Sequence, residues 1–148
     1  MTTLLKVLLT DDTARLPSKA YPTDTGYDLF LSEDVALGPC ASACPTGVRL
    51  VIPEGYWVRF AEKSGKALKG IRIHGGVIDQ TYTGELKVIA SYQMPSDLFG
   101  TRAFKLKAGE AICQMILEKR NDAEIVQITE SELTATDRGA NGFGSTGR

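Results

Sequence analysis

Runs of three to eight residues rich in valine, isoleucine and aromatic side chains recur along this chain between Gly, Pro and Asp punctuation. They fall at residues 4–9, 27–31, 48–52, 56–61, 77–79, 85–92, 103–106, 111–118 and 124–128. Segments this short cannot give a helix a useful apolar stripe, whereas β-branched and aromatic side chains fit a pleated, half-buried surface. The spacing therefore predicts an all-β sandwich or barrel. Alternation is explicit in 56–61, where Tyr56, Val58 and Phe60 share one face and Trp57 and Arg59 the other. Residues 64–69, Ser-Gly-Lys-Ala-Leu-Lys, read as the one short helix. Ser64 is expected to cap its first turn, placing amide donors beside a hydroxyl in a seat suited to phosphate.

A chain of 148 residues suits one compact domain with a real core and leaves little room for a second. Seventeen Lys and Arg stand against eighteen Asp and Glu, without a basic run able to track a phosphate backbone, so a nucleic-acid polymer is not the expected ligand. The first ten residues are too soon interrupted by charge for an export signal, and no apolar run approaches a membrane span, which gives a cytoplasmic expectation. Cys40, Cys44 and Cys113 then read as free thiols. Cys40, Cys44 and the single histidine, His74, lack the second ligand pair of a zinc site and are expected in loops and core instead.

The C-terminus has a different character. Residues 139–148 hold four glycines and one large apolar side chain, Phe143, too little to offset the entropy of ordering them. The expected organisation is a β domain over 1–137 and a flexible arm over 138–148. An arm with an aromatic, two hydroxyls and the arginines Arg138 and Arg148 has the groups needed to stack on a base and hold phosphates.

Five ordered segments carry a resemblance. They are Thr25-Gly26-Tyr27-Asp28-Leu29, Lys63-Ser64-Gly65-Lys66-Ala67-Leu68, Gly75-Gly76-Val77-Ile78-Asp79-Gln80-Thr81-Tyr82-Thr83-Gly84-Glu85, Gly109-Glu110-Ala111-Ile112-Cys113-Gln114, and Arg138-Gly139-Ala140-Asn141-Gly142-Phe143-Gly144-Ser145-Thr146-Gly147. Together they resemble the five motifs of the trimeric dUTPases, the third and fifth most specifically. The resemblance implies a distorted jelly-roll sandwich that hydrolyses dUTP to dUMP and pyrophosphate with Mg²⁺, lowering dUTP and supplying the dTTP precursor.

The resemblance also distributes roles. Asp79 would take a proton from the attacking water, a task a carboxylate at a hairpin mouth can perform. Tyr82 would pack under the deoxyribose, where a 2′-hydroxyl collides, and the backbone of Gly76, Val77 and Ile78 would read the uracil edge. Lys63, Ser64, Gly65 and Lys66 would bind phosphate and stabilise charge on the leaving group. Gln114 would contact the α-phosphate and the water. Asp28 would meet Mg²⁺ only through water, the ion being held mainly by the triphosphate. On the arm, Arg138, Gly144, Ser145 and Thr146 would grip the γ-phosphate while Phe143 stacks on uracil. Three subunits would share each site.

Some positions depart from the family pattern. Lys63 stands in place of an arginine and supplies a point charge instead of a bidentate fork. Glu110 and Ala111 replace an aspartate and an arginine, which puts the ion pairs there in question. The segment Met94-Pro95-Ser96-Asp97-Leu98-Phe99-Gly100-Thr101-Arg102 lengthens the loop before the fourth motif, and its Leu98 and Phe99 fit three roles equally: oligomer packing, a surface for a protein partner, or simple loop closure. Three other readings stay open: a dCTP deaminase, which would use a glutamate base and lack the Phe-Gly-Ser-Thr-Gly arm; a dUTP-binding regulator; and a plain β-sandwich interaction module.

Overall fold

The computed structural model describes residues 3–93 and 103–142. The order of elements is β1 (Lys6–Leu9), β2 (Tyr27–Phe30), β3 (Val35–Leu37), β4 (Ser42–Val51), β5 (Tyr56–Ala61), α1 (Ser64–Ala67), β6 (Ile71–His74), β7 (Val77–Ile78), β8 (Glu85–Tyr92), β9 (Phe104–Leu106) and β10 (Ala111–Lys119), followed by one 3₁₀ turn at Glu130–Glu132. Two four-stranded antiparallel sheets, ordered β1-β4-β8-β6 and β2-β10-β5-β7, are joined by a small β3-β9 pair. One apolar cluster unites them. Leu50, Leu86, Val88 and Ala90 from the first sheet meet Leu29, Val58, Phe60, Ile112 and Met115 from the second. Each fully buried leucine contributes about 1.5–3 kcal/mol relative to exposure, so this shared interior holds the sandwich together.

The expected alternation in β5 is present, with Val58 and Phe60 buried and Trp57 and Arg59 partly exposed. Cys44 and Cys113 are core thiols and Cys40 is exposed. Burial pushes the Cys44 thiol up to about 11 and the Cys113 thiol higher still.

Three expectations need correction. Residues 124–128 are not a strand: Ile125 is 98% exposed and Val126 67%, because an extended run is stable only against a partner edge and none of the described residues offers it one. The helix is shorter than 64–69, and Ser64 does not cap it. Lys63 holds the N-cap position in extended conformation with no side-chain cap, which makes Ser64 the first helical residue. Strand β4 extends ten residues instead of five. It runs through Pro45, which partners Lys87 at the last regular position before the register shifts toward Arg49, an edge of the ladder where a residue without an amide proton is tolerated.

Candidate active site

The hairpin cleft follows from where the strands stop pairing. Strand β8 is covered on one edge by β4, and by β6 on the other only from Tyr92 back to Ile89, which faces His74. From Glu85 to Val88 that second edge is open. Strand β7 pairs with β5 through Val77 and Ile78 on one edge alone. Two free backbone edges thus border one pocket of about 590 Å³, lined by Val77, Ile78, Asp79, Tyr82, Glu85, Leu86 and Lys87 among others. A planar ring bearing donors and acceptors on one side can insert there and complete the interrupted ladder.

The walls of this cleft are braced. Gly76 lies so close to β5 that a Cβ would come within 2.9 Å of the Phe60 carbonyl oxygen, and its own carbonyl accepts the Phe60 amide at 2.8 Å. Glu85 Oε1 accepts the amides of Thr46 and Gly47 at 3.2 and 3.1 Å, and Arg49 Nε donates to the Thr83 carbonyl at 2.7 Å. The buried Thr46 hydroxyl donates to the Leu86 carbonyl at 2.6 Å. Tyr82 closes over Gly84 and donates its hydroxyl to the Glu85 carbonyl at 2.9 Å. Asp79 is exposed at the mouth of the cleft. The bracing roles of Glu85 and Arg49 escaped the sequence reading. Glu85 lay inside a recognised motif without a role, and Arg49 carries no local signal.

A second corner assembles motifs one, two and four. Gln114 in β10 is the direct cross-strand partner of Asp28 in β2 on one side and of Ala61 in β5 on the other. Gly26 allows this approach, since a Cβ there would sit 2.5 Å from Gln114 Oε1. Lys63 donates to Asp28 Oδ1, and Lys66 donates to Glu110 Oε2 at 2.8 Å. The ion pair placed in doubt at motif four therefore exists, with Lys66 as its cation. The Lys66 ammonium, and then the Lys107 amide, hold the Glu110 carboxyl below its usual range.

Lys63, Ser64, Gly65, Lys66, Lys69 and Gln114 line a shallow pocket of about 300 Å³. The Lys66 amide is already bonded to the Lys63 carbonyl at 2.9 Å, so the donors with no preceding turn to reach are those of Ser64 and Gly65. A Cβ on Gly65 would meet nothing within 4 Å. Packing does not demand glycine there, whereas an approaching anion would. No three His, Cys, Asp or Glu side chains among the described residues form a cation cage.

These two half-sites do not meet within one chain. Ile78 faces Val58 while Gln114 faces Ala61, three residues along and two strands across. At ordinary strand spacings their Cα atoms are about 14 Å apart, and Asp79 lies one residue farther away. Arg138 is exposed and donates Nε to the Asn141 carbonyl at 3.0 Å. Phe143, Gly144, Ser145, Thr146 and the segment 94–102 lie outside the described residues.

The profile of the family described as dUTPase matches residues 12–147. The chain belongs to the dUTPase family. Family members hydrolyse dUTP to dUMP and pyrophosphate. The chain is 38% identical over 147 residues to the deoxyuridine 5′-triphosphate nucleotidohydrolase of Saccharomyces cerevisiae, covering 97% of this chain and 95% of that one. Among solved structures it resembles a mutant dUTPase of Staphylococcus bacteriophage 80alpha with dUpNHpp, at a TM-score of 0.85 and 29% identity over 99% of this chain and 100% of that one. It also resembles a mutant dUTPase from phage phi11 of S. aureus, described with a structural Mg(II) ion, at a TM-score of 0.75 and 25% identity over 88% and 100% of the two chains. The all-β sandwich predicted from the spacing of the short apolar runs is thus the fold this dUTPase chain adopts.

Proposed function

We propose that this chain performs its family's reaction at a site shared by three subunits, with the base in the β7–β8 cleft and the triphosphate on the corner built by Asp28, Lys63, Ser64, Gly65, Lys66 and Gln114. The observation that carries the reading is the pair of open strand edges with Asp79 at their mouth. Uracil presents a donor flanked by acceptors, which fixed backbone groups can match. Cytosine presents a different pattern and leaves the same groups unpaired.

Asp79 accepts a proton as water oxygen bonds to the α-phosphorus, and the bond from that phosphorus to the bridging oxygen of the β-phosphate breaks. Pyrophosphate leaves, and the amides of Ser64 and Gly65 with the ammonium of Lys66 stabilise its charge. Tyr82, which lines the same cleft, would floor the deoxyribose. The described acidic groups fit Mg²⁺ only in an outer role: Asp28 already serves Lys63, and no carboxylate cage surrounds it. When bound with the triphosphate, Mg²⁺ would neutralise phosphate charge, with Asp28 accepting from one of its waters. The arm over 138–148, carrying Arg138, Phe143, Gly144, Ser145 and Thr146, closes the site.

Sharing between subunits is supported by the separation of about 14 Å between the β7 and β10 half-sites, too long for Asp79 and Gln114 of one chain to address one water. Further support comes from exposed Ile125, Val126 and Ile128, an apolar extended run that a neighbouring subunit can cover. A cytoplasmic setting belongs to the same proposal; no helix among the described residues is long and apolar enough to cross a membrane. Pyrophosphate release from dUTP, dTTP, dCTP and UTP, measured with and without Mg²⁺, tests the reading. Strong preference for dUTP and dependence on Mg²⁺ are expected. Ammonia from dCTP, or equal release from all four, would overturn it.

A further inference from the structure

Between β6 and β7 the chain crosses from one sheet to the other within a few residues. His74 ends β6 opposite Ile89, and Val77 opens β7 opposite Arg59 in the other sheet. Gly75 lies between them with φ at +57°, a left-handed conformation that a side chain would strain. One end of the crossing is fixed where Gly76 presses on Phe60. The other end is fixed by a side chain. His74 Nε2 lies 2.8 Å from Ser91 Oγ, diagonally across the β6–β8 pair from its own register partner. Ser91 is only 1% exposed, so its hydroxyl has no ready solvent alternative to the imidazole.

We propose that the His74–Ser91 hydrogen bond sets the width of the base cleft, which makes both residues specificity-determining for the pyrimidine although they act through the backbone. The inference rests on the reading that the base enters between β7 and β8. That cleft opens where β6 stops pairing with β8, at His74 and Ile89. Terminal pairs of a strand open first, and the side chain of His74 closes this one. Without it the last pair frays and the segment leading into Val77 and Ile78 shifts. Backbone donors and acceptors have no side-chain torsions with which to compensate, and a hydrogen bond weakens steeply beyond about 3.2 Å. A looser cleft also accommodates a displaced cytosine or a bridging water, which reduces the penalty against the wrong base. Asp79 lies beyond the crossing and the phosphate corner lies on other strands, so base selection should suffer more than chemistry.

Steady-state kinetics with dUTP and dCTP test this in the full-length protein carrying His74→Ala, His74→Gln, Ser91→Ala, or His74→Ala with Ser91→Ala. His74→Ala should raise KM for dUTP and reduce the dUTP-to-dCTP ratio of kcat/KM about tenfold, while kcat for dUTP stays within about threefold. His74→Gln, whose amide nitrogen can replace Nε2, should recover most of the ratio. Ser91→Ala removes the buried hydroxyl instead of stranding it, so it keeps the same readout if His74→Ala fails to fold, and the double variant should be no worse than the worse single one. An unchanged ratio in both single variants, or equal losses for the two nucleotides, would overturn the inference. A wild-type protein that does not prefer dUTP over dCTP would overturn the underlying cleft reading, and this inference with it.

Discussion

Asp79 is a surface aspartate whose proposed role comes from position: it follows the short strand whose free edge borders the cleft proposed to take the base. Thr46, Arg49, Gly76 and Glu85 hold the cleft walls without bonding to Asp79, so a change at Asp79 can leave the cleft intact. Asp79→Asn is isosteric and removes only the ability to accept a full proton. It should bind a non-hydrolysable dUTP analogue with near wild-type affinity and turn over dUTP about two to four orders of magnitude more slowly. Calorimetric binding combined with pyrophosphate assays checks both halves, and turnover within a few-fold of wild type would remove Asp79 from proton transfer. The sequence made Asp79, Tyr82, Gln114 and the 63–66 segment legible because each lies inside a motif with fixed spacing. It could not show that Asp28 and Gln114 are cross-strand neighbours, nor that Lys63 holds Asp28, since these depend on register between distant strands. It misjudged Ser64 because hydroxyl-before-helix is a local signal, and the cap position shifted one residue upstream to Lys63.

At the level of elements, sequence spacing located β5 and β8 to the residue: β5 alternates, with Val58 and Phe60 buried, and β8 is a long run that buries Leu86, Val88 and Ala90 and adds the buried Ser91. It passed over β3 and β6, which stand outside the apolar runs it singled out, and it cut β4 short because Pro45 looks like punctuation. Residues 124–128 have strand chemistry without a strand partner among the described residues, a reminder that propensity proposes and pairing decides. The link between α1 and the loop entering β10 is electrostatic, through Lys66 and Glu110. The Glu110 carboxyl is held below its usual 4.5 by Lys66 and the Lys107 amide, so the folded state favours its ionised form. That contribution is complete at neutral pH, where folded and unfolded chains both carry the charge, and it is lost as pH falls below 4.5 through the depressed folded value. Because the Glu110 side chain is 42% exposed, solvent screening limits the pair to about 0.5 kcal/mol. Glu110→Gln should therefore lower Tm by about 1–2 °C at pH 7. The gap to wild type should close at acid pH. Thermal melts from pH 3 to 8 measure it, and a gap that stays constant across that range would assign the effect to packing.

For the whole molecule, the decisive quantity is the distance between half-sites. A rigid sandwich cannot bring the β7 edge and Gln114 together, since Phe60 and Met115, paired between the two strands, are part of the core. The remedy available to a small domain is association, which brings the cleft of one copy to the phosphate corner of another and gives each site a boundary for a nucleotide to enter. If the arm comes from yet another copy, mixing separates the arrangements. Asp79→Asn protein and protein truncated after Asp137 should each be nearly inactive alone. Co-refolded in equal amounts, random trimers give a site an intact hairpin in half the cases and an intact arm independently in half, so about a quarter of wild-type activity should return. If hairpin and arm came from the same subunit, every site would lack one or the other, and activity would remain at the sum of the two parents. The titration adds a second constraint, because recovered activity should peak at equal proportions and fall symmetrically toward either parent. Recovery that instead rose in proportion to one parent's fraction would mean that the group this parent lacks is not required for activity, and a monomeric mass in solution would exclude sharing between subunits.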